Sequence, residues 1–373
     1  MMIGKRTKAY MDKLIKEKGL PYFDVSVHCG YDTVWRYFDG VNGGITGKEQ
    51  ILLYSCTKPM TVVCAMGLVE KGLLHLDDLV EKYLPAYADT FLLNEKGEKV
   101  PTKNKMTIWH LFTMSGGLTY DMFTEPLEEI KRRGGNTFDF CQGFVKTPLS
   151  FEPGTRFQYS LCHDTLAAVV EVITGKPFSQ YMKEVIFDPL GMSESGFHNL
   201  DESKLMELYA TTPNGQFVKL NARQVFGMND TSYDSGGAGV ISTLEDYAKF
   251  AKAMACGGVC KDGHRLIEEK TIEQIRSVQH DRFEMDNSFS CAQGTDYGYG
   301  LGVRTRLKET EWGLPVGEYG WDGAAGAYIM IDSVHKISVV MGMNILQWGP
   351  CFAGEHVNVV KCIYEDLKEE GLL

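Results

Sequence analysis

The chain has 373 residues, of which 44% are hydrophobic, 11% aromatic and 23% charged, so it can bury a large core without disulfides or a metal. Acidic residues outnumber basic ones by 49 to 38, and the formal net charge of −11 repels the phosphates of nucleic acids and anionic lipids. The composition therefore excludes a disordered or fibrous chain and argues against nucleic-acid and membrane-surface partners.

The N-terminal segment predicts a helix followed by a β-hairpin. Apolar residues recur at helical spacing over residues 3–18, and Gly19 is a typical helix end. Two β-rich runs at 23–28 and 33–38 flank a short turn. The segment lacks the apolar run of a signal peptide, and no stretch reaches the roughly 18 apolar residues of a membrane span. We therefore expect a cytoplasmic protein.

The next elements predict helices in the middle of the chain and strands at its ends. A helical pattern starts near Ser55, and residues 76–270 resemble helices joined by proline-punctuated loops. After residues 297–303, strand signals return at 328–331 and 337–343, before a final helix at 357–368. This order predicts a sheet domain formed by residues 1–75 and 290–373, with a mainly helical inserted domain at 76–289.

The ten cysteines show no CxxC pair and no regular disulfide framework. Cys256 and Cys260 are four residues apart, but no further Cys or His stands nearby to complete a zinc tetrahedron. We expect reduced thiols, no metal and no cofactor.

The strongest local candidate for chemistry is the pair Ser55 and Lys58. Residues three apart on a helix share a face, so the amine can reach the serine hydroxyl, and a helix start offers free N–H groups to an oxyanion. The same SxxK spacing occurs by chance, and this chain repeats it at Ser333 and Lys336 in a predicted hairpin turn. Only Ser55 follows a loop and opens a buried-looking helix.

Further motifs follow this pair in order. They are residues 114–118 (MSGGL), 151–160 (FEPGTRFQYS), 188–192 (DPLGM), 236–239 (GGAG) and 319–326 (YGWDGAAG). Together with Ser55 and Lys58, the set resembles the β-lactamase-related serine hydrolases, which include class C β-lactamases, D-amino acid peptidases and family VIII esterases. The resemblance implies an α+β, β-lactamase/transpeptidase-like fold: an antiparallel sheet flanked by helices, an inserted helical region, and an active site in the cleft between them.

The resemblance also implies the catalytic roles. Ser55 is then the acylated nucleophile, Lys58 the amine that deprotonates it, and Tyr159 the phenol that relays protons to the leaving group. Lys58 and Tyr159 must lie together and share their protonation. A tyrosine packed in the core is the alternative for Tyr159.

The third motif of the family corresponds here to residues 321–323 (WDG). Ala324 would supply an oxyanion N–H beside that of Ser55, and Gly323 would let the strand approach the substrate. Trp321 would contact the substrate, or else pack in the core. The aromatic residues near this strand, Tyr297, Tyr299, Trp312 and Tyr319, either wall an acyl pocket or pack in the sheet core.

Two departures from the family pattern bear on specificity. Leu161 stands where the second motif usually has an asparagine, and Trp321 replaces a cationic residue that helps to hold a substrate carboxylate. His163 either restores the lost polarity or caps and packs the following helix. We therefore expect hydrolysis of small carboxylic esters, with a β-lactam or a D-amino acid peptide amide as the alternative. A non-catalytic relative that binds a ligand in the cleft is the alternative of another class.

Overall fold

The computed structural model describes residues 4–41, 43–198, 201, 203–222, 232–279, 282, 284–285 and 296–373. Its helices are α1 (Lys5–Lys18), α2 (Lys58–Glu70), α3 (Ile108–Phe112), α4 (Glu125–Arg132), α5 (Thr137–Phe144), α6 (Cys162–Thr174), α7 (Phe178–Met182), α8 (Asp188–Leu190), α9 (Leu244–Ala255), α10 (Glu269–Arg276) and α11 (His356–Glu369). Its strands are β1 (Phe23–Cys29), β2 (Asp32–Asp39), β3 (Gln50–Leu52), β4 (Phe91–Leu93), β5 (Lys99–Pro101), β6 (Arg156–Phe157), β7 (Leu208–Thr211), β8 (Phe217–Leu220), β9 (Ile241–Thr243), β10 (Glu284–Met285), β11 (Tyr297–Tyr299), β12 (Arg304–Arg306), β13 (Tyr319–Asp322), β14 (Tyr328–Asp332), β15 (Ile337–Gly342) and β16 (Ile345–Leu346).

The main sheet joins the two ends of the chain. Its seven strands run in the order β11-β12-β13-β14-β15-β1-β2, and every neighbouring pair is antiparallel. Val25 of β1 lies between Met341 of β15 and Tyr37 of β2. The two predicted hairpins, β1–β2 and β14–β15, are both present, so the predicted α+β fold with an antiparallel sheet is confirmed.

Helices cover both faces of this sheet. On one face, the hydroxyl of Tyr364 in α11 donates to Asp332 at 2.7 Å, and α1 packs on α11 through a bond from Thr7 to Asp366. On the other face, the Tyr319 hydroxyl reaches the Met254 carbonyl of α9. Because both faces are covered, β14 and β15 are buried along their whole length, and both are mostly apolar.

The region between the two ends, predicted to be mainly helical, also contains strands. They are β4 to β10, of which β4–β5 and β7–β8 form small hairpins, β9 pairs with β3 and β10 pairs with β6. Helix α9 lies within residues 76–289 but packs against β15, β1 and β14 of the main sheet. The boundaries at 75 and 290 therefore stay a prediction; residue 289 lies outside the described residues.

The cysteines within the described residues are free thiols. In the same part of the chain, no three His, Cys, Asp or Glu side chains cluster as metal ligands would, and no helix combines the length and apolarity needed to cross a membrane.

Candidate active site

Ser55 lies at the start of a helix, just after a strained residue. Strand β3 ends at Leu52, and Tyr54 has a φ of 45°, the left-handed conformation that costs a non-glycine residue about 1–3 kcal/mol. A 3₁₀ turn over Tyr54–Thr57 follows and leads directly into α2. Ser55 is therefore the second residue of the 3₁₀ turn, and it is 7% exposed.

Lys58 is fully buried, and its ammonium group has two acceptors. Its Nζ donates to Ser55 Oγ at 3.1 Å and to the Gly237 carbonyl at 2.8 Å. The first contact follows from the three-residue spacing, since the two side chains lie on one helical face. The second joins α2 to residues 236–239, a motif for which the sequence suggested no contact. Thr61, one turn further along α2, donates to the Gly236 carbonyl at 2.6 Å.

Tyr159 completes the cluster from a distant part of the chain. Its hydroxyl donates to Ser55 Oγ at 2.5 Å, and Lys58 Nζ lies 4.6 Å from the centre of its ring. The structure thus brings the three predicted catalytic residues together. One serine oxygen accepts hydrogen bonds from an amine and a phenol, which is an arrangement that can move a proton away from an attacking hydroxyl.

Tyr120 is a site residue that sequence reasoning missed. Its ring stacks on Tyr159 with centroids 5.4 Å apart and planes 8° apart, and its hydroxyl interacts with Ser55 and Tyr159. Burial, and then the charge of Asp164, raises the pKa of this hydroxyl, although the residue as a whole is 43% exposed. The only signal was its position just after the motif at 114–118. Ser115 of that motif is buried, and its hydroxyl is hydrogen-bonded to that of Thr113.

Trp321 packs behind Tyr159. It is 0% exposed, stacks on Tyr159 with centroids 5.8 Å apart, and meets Tyr299 edge to face at 5.4 Å. The predicted contact of Trp321 with substrate is therefore wrong for this structure, because the ring has no accessible surface. Its geometry instead supports the ring of Tyr159 from the side opposite Tyr120.

Gly323 is needed for a contact within the protein. A Cβ at this position would stand 2.3 Å from the carbonyl oxygen of Leu53, two residues before Ser55. Gly323 thus lets the strand approach the segment that carries the nucleophile, and its approach to the substrate stays a prediction. Ala324 follows and is half-buried. Among the described residues, no turn or loop hydrogen bond from its N–H to a backbone carbonyl is present. An oxyanion donor requires such a free N–H.

Leu161 and His163 do not restore the polarity of the missing asparagine. Leu161 is 4% exposed and has no side-chain donor. His163 is fully buried, and burial, followed by the charge of Lys58, lowers its pKa to about 3. Its Nε2 lies 3.5 Å from the Phe112 carbonyl oxygen. The packing alternative therefore holds for His163, which is neutral at ordinary pH.

The aromatic residues near the third motif pack in the core and do not line a pocket. Tyr297, Tyr299 and Tyr319 are at most 4% exposed, and Trp312 packs on Tyr364 of α11 with centroids 5.6 Å apart. Of the two interpretations left open by the sequence, the structure supports packing in the sheet core.

The sheet, the helix that starts at the nucleophile and the Ser-Lys-Tyr cluster define a serine hydrolase of the β-lactamase/transpeptidase-like fold. The chain belongs to the beta-lactamase family, which it matches over residues 26–360.

Relatives and solved structures agree with this assignment. Esterase EstB of Burkholderia gladioli is 27% identical over 377 residues, covering 92% of this chain and 90% of the esterase. A putative D-alanyl-D-alanine carboxypeptidase of Escherichia coli K12 is 28% identical over 303 residues, 74% of this chain and 64% of the relative. The hydrolase EstCE1, described as having promiscuous acyltransferase activity, shares the fold with a TM-score of 0.77, 22% identity and 98% coverage of both chains.

Proposed function

We propose that this serine hydrolase cleaves small carboxylic esters through an acyl-Ser55 intermediate. The observation that carries the proposal is the pair of donors on one oxygen, since Ser55 Oγ lies 2.5 Å from the Tyr159 hydroxyl and 3.1 Å from Lys58 Nζ. A buried lysine and a phenol in contact share their protonation, so one of them can accept a proton while the other donates one.

The reaction follows from this geometry. Ser55 Oγ attacks the ester carbonyl and passes its proton to the Lys58–Tyr159 pair, while the N–H groups of Ser55 and Ala324 receive the oxyanion. Collapse of the tetrahedral intermediate breaks the bond to the alcohol oxygen, which takes the proton back from the pair. Water then attacks the acyl-enzyme by the same route and releases the acid.

The preference for esters is supported by the two departures from the family pattern. A β-lactam or peptide carboxylate needs a cation or amide to hold it, whereas Leu161 offers neither and Trp321 is buried. A simple ester has no such carboxylate, so its binding does not need the missing groups. The name of EstB, a relative that covers nearly the whole chain, supports the same substrate class.

The test is covalent labelling of the nucleophile. A fluorophosphonate should add one adduct mass to the wild-type protein and none to Ser55→Ala, with loss of p-nitrophenyl butyrate hydrolysis in the variant. Ser333→Ala is the matched control, because it removes the serine of the other SxxK pair, which is half-buried in the hairpin turn between β14 and β15, and it should label and turn over normally. An unlabelled wild-type protein would favour the non-catalytic ligand-binding alternative.

A further inference from the structure

A buried carboxylate lies near the nucleophile cluster without a role in the chemistry above. Asp164, in the first turn of α6, is 1% exposed. Its Oδ1 accepts hydrogen bonds from the hydroxyls of Tyr233 and Ser235, each at 2.6 Å. Its Oδ2 is also buried, and no described residue of the chain gives it a hydrogen bond. Buried carboxylate oxygens are ordinarily hydrogen-bonded, so this oxygen calls for a reason.

The unpartnered oxygen points at the turn that holds Lys58. A Cβ at Gly237 would stand 2.4 Å from Asp164 Oδ2, so the carboxylate is packed directly against the Gly237 backbone. The carbonyl of the same Gly237 accepts the hydrogen bond from Lys58 Nζ at 2.8 Å. Asp164 and the Lys58 ammonium are therefore separated by a single peptide unit in a fully buried setting.

The neighbouring groups experience both charges. Burial raises the pKa of Cys162 to about 11, and on this thiol Asp164 and Lys58 act with opposite sign. Burial is also the first cause that raises the pKa values of Tyr120 and Tyr233, and Asp164 is the next cause for both.

Three groups around Asp164, namely Tyr87, Cys141 and His163, stay neutral through the working pH range. Burial raises the pKa values of Tyr87 and Cys141, which lie in its field from the elements packed on α6. The pKa of His163 is lowered to about 3. Burial raises the pKa of Glu171, two turns further along α6, to about 7, so Glu171 titrates within that range. The buried Asp234 lies between the two residues that donate to Asp164. Of the groups described around Asp164, the Lys58–Tyr159 pair is the one through which its charge can act on the proposed chemistry.

We propose that Asp164 is the positioning residue of the Ser55–Lys58–Tyr159 cluster: its carboxylate holds the Ser235–Gly237 turn against Lys58 and supplies the negative charge opposite the ammonium. This inference rests on the proposed function, because it assigns a partner to the same proton-transfer pair. It also gives a reason why Leu161 is tolerated. The backbone of Gly237, with the charge of Asp164 behind it, orients Lys58 in place of the asparagine amide of the family pattern.

The expected effect has a definite sign. A negative charge favours the protonated form of every nearby group, amine or phenol, and so its removal makes protons easier to lose. Asp164→Asn should move the acidic limb of the kcat/KM profile to lower pH by about one to two units, the shift expected of a charge ~6–10 Å away at an effective dielectric of ~20. The variant should fold, because asparagine keeps an oxygen for Tyr233 and Ser235 and removes a buried charge.

The experiment compares pH profiles of p-nitrophenyl butyrate hydrolysis. Asp164→Asn and the smaller Asp164→Ala should both shift the acidic limb downward, whereas Ser235→Ala, which removes one hydrogen bond and keeps the charge, should leave it in place. A loss of rate with an unmoved limb in both Asp164 variants would overturn the proposal, as would their failure to fold. Hydrolysis by Ser55→Ala would overturn the proposed function instead, so the two failures are distinct.

Discussion

Gly323→Ala should slow the chemistry by displacing the nucleophile. The added Cβ would stand 2.3 Å from the Leu53 carbonyl oxygen, whereas real Cβ contacts are essentially never under 3.0 Å, so the two segments must separate by at least 0.7 Å. Both sides are held in place: the Gly323 N–H donates to Ala327 and the Leu53 N–H donates to Val240. The displacement therefore passes along the chain to Ser55.

The magnitude follows from the sensitivity of reactions to geometry. A misplacement of about 1 Å costs about 10²-fold in rate, so we expect the rate of fluorophosphonate labelling to fall about 10- to 100-fold. Labelling with the same reagent, followed by intact mass, measures the nucleophile directly and does not depend on knowing the natural substrate. Thermal unfolding of the variant shows whether the fold is kept.

Gly67→Ala is the matched control. Gly67 lies in α2, the helix that also carries Lys58, and no heavy atom stands within 4 Å of its added Cβ. Alanine is better than glycine in a helix by about 1 kcal/mol, so this variant should label at the wild-type rate with an equal or higher melting temperature. Wild-type labelling by Gly323→Ala would refute the reasoning, because the contact with Leu53 would then not constrain Ser55.

Three further results are expected. Lys58→Ala and Tyr159→Phe should each reduce ester turnover by about 10²- to 10⁴-fold. The loss in the double variant should be much smaller than the product of the two single losses, because the two residues act as one proton-transfer pair. Independent, multiplicative losses in kcat/KM would contradict this. On one preparation, kcat/KM for a short-chain p-nitrophenyl ester should exceed that for nitrocefin; an equal or larger nitrocefin value would favour the β-lactamase alternative. His163 has a pKa of about 3 when folded, against an ordinary 6.5, so the unfolded chain binds the extra proton and stability falls as pH drops from 6.5 towards 3. The melting temperature of His163→Gln should therefore fall less than that of the wild type between pH 7 and pH 5. An equal fall would show that other groups set the acid sensitivity.

Local patterns in the sequence were sufficient for the elements at the two ends and for half of the site. Short β-rich runs beside turn residues marked β1, β2, β14 and β15, and helical periodicity marked the terminal helices, because each of these signals can be read from neighbouring residues. The pairing of Ser55 with Lys58 is also local, since a spacing of three on a helix places both side chains on one face.

Packing alone decided the rest of the site. Tyr159 lies 104 residues from Ser55, and the Gly237 carbonyl lies 179 residues from Lys58, so no local period relates them. Tyr120 also depends on packing, because no motif marked it. For Trp321, the sequence alone does not show whether the ring lies in the cleft or behind it. Which aromatic faces the cleft and which carbonyl meets a buried amine depend on how the sheet, α2 and α6 pack together, and that arrangement exists only in the folded chain.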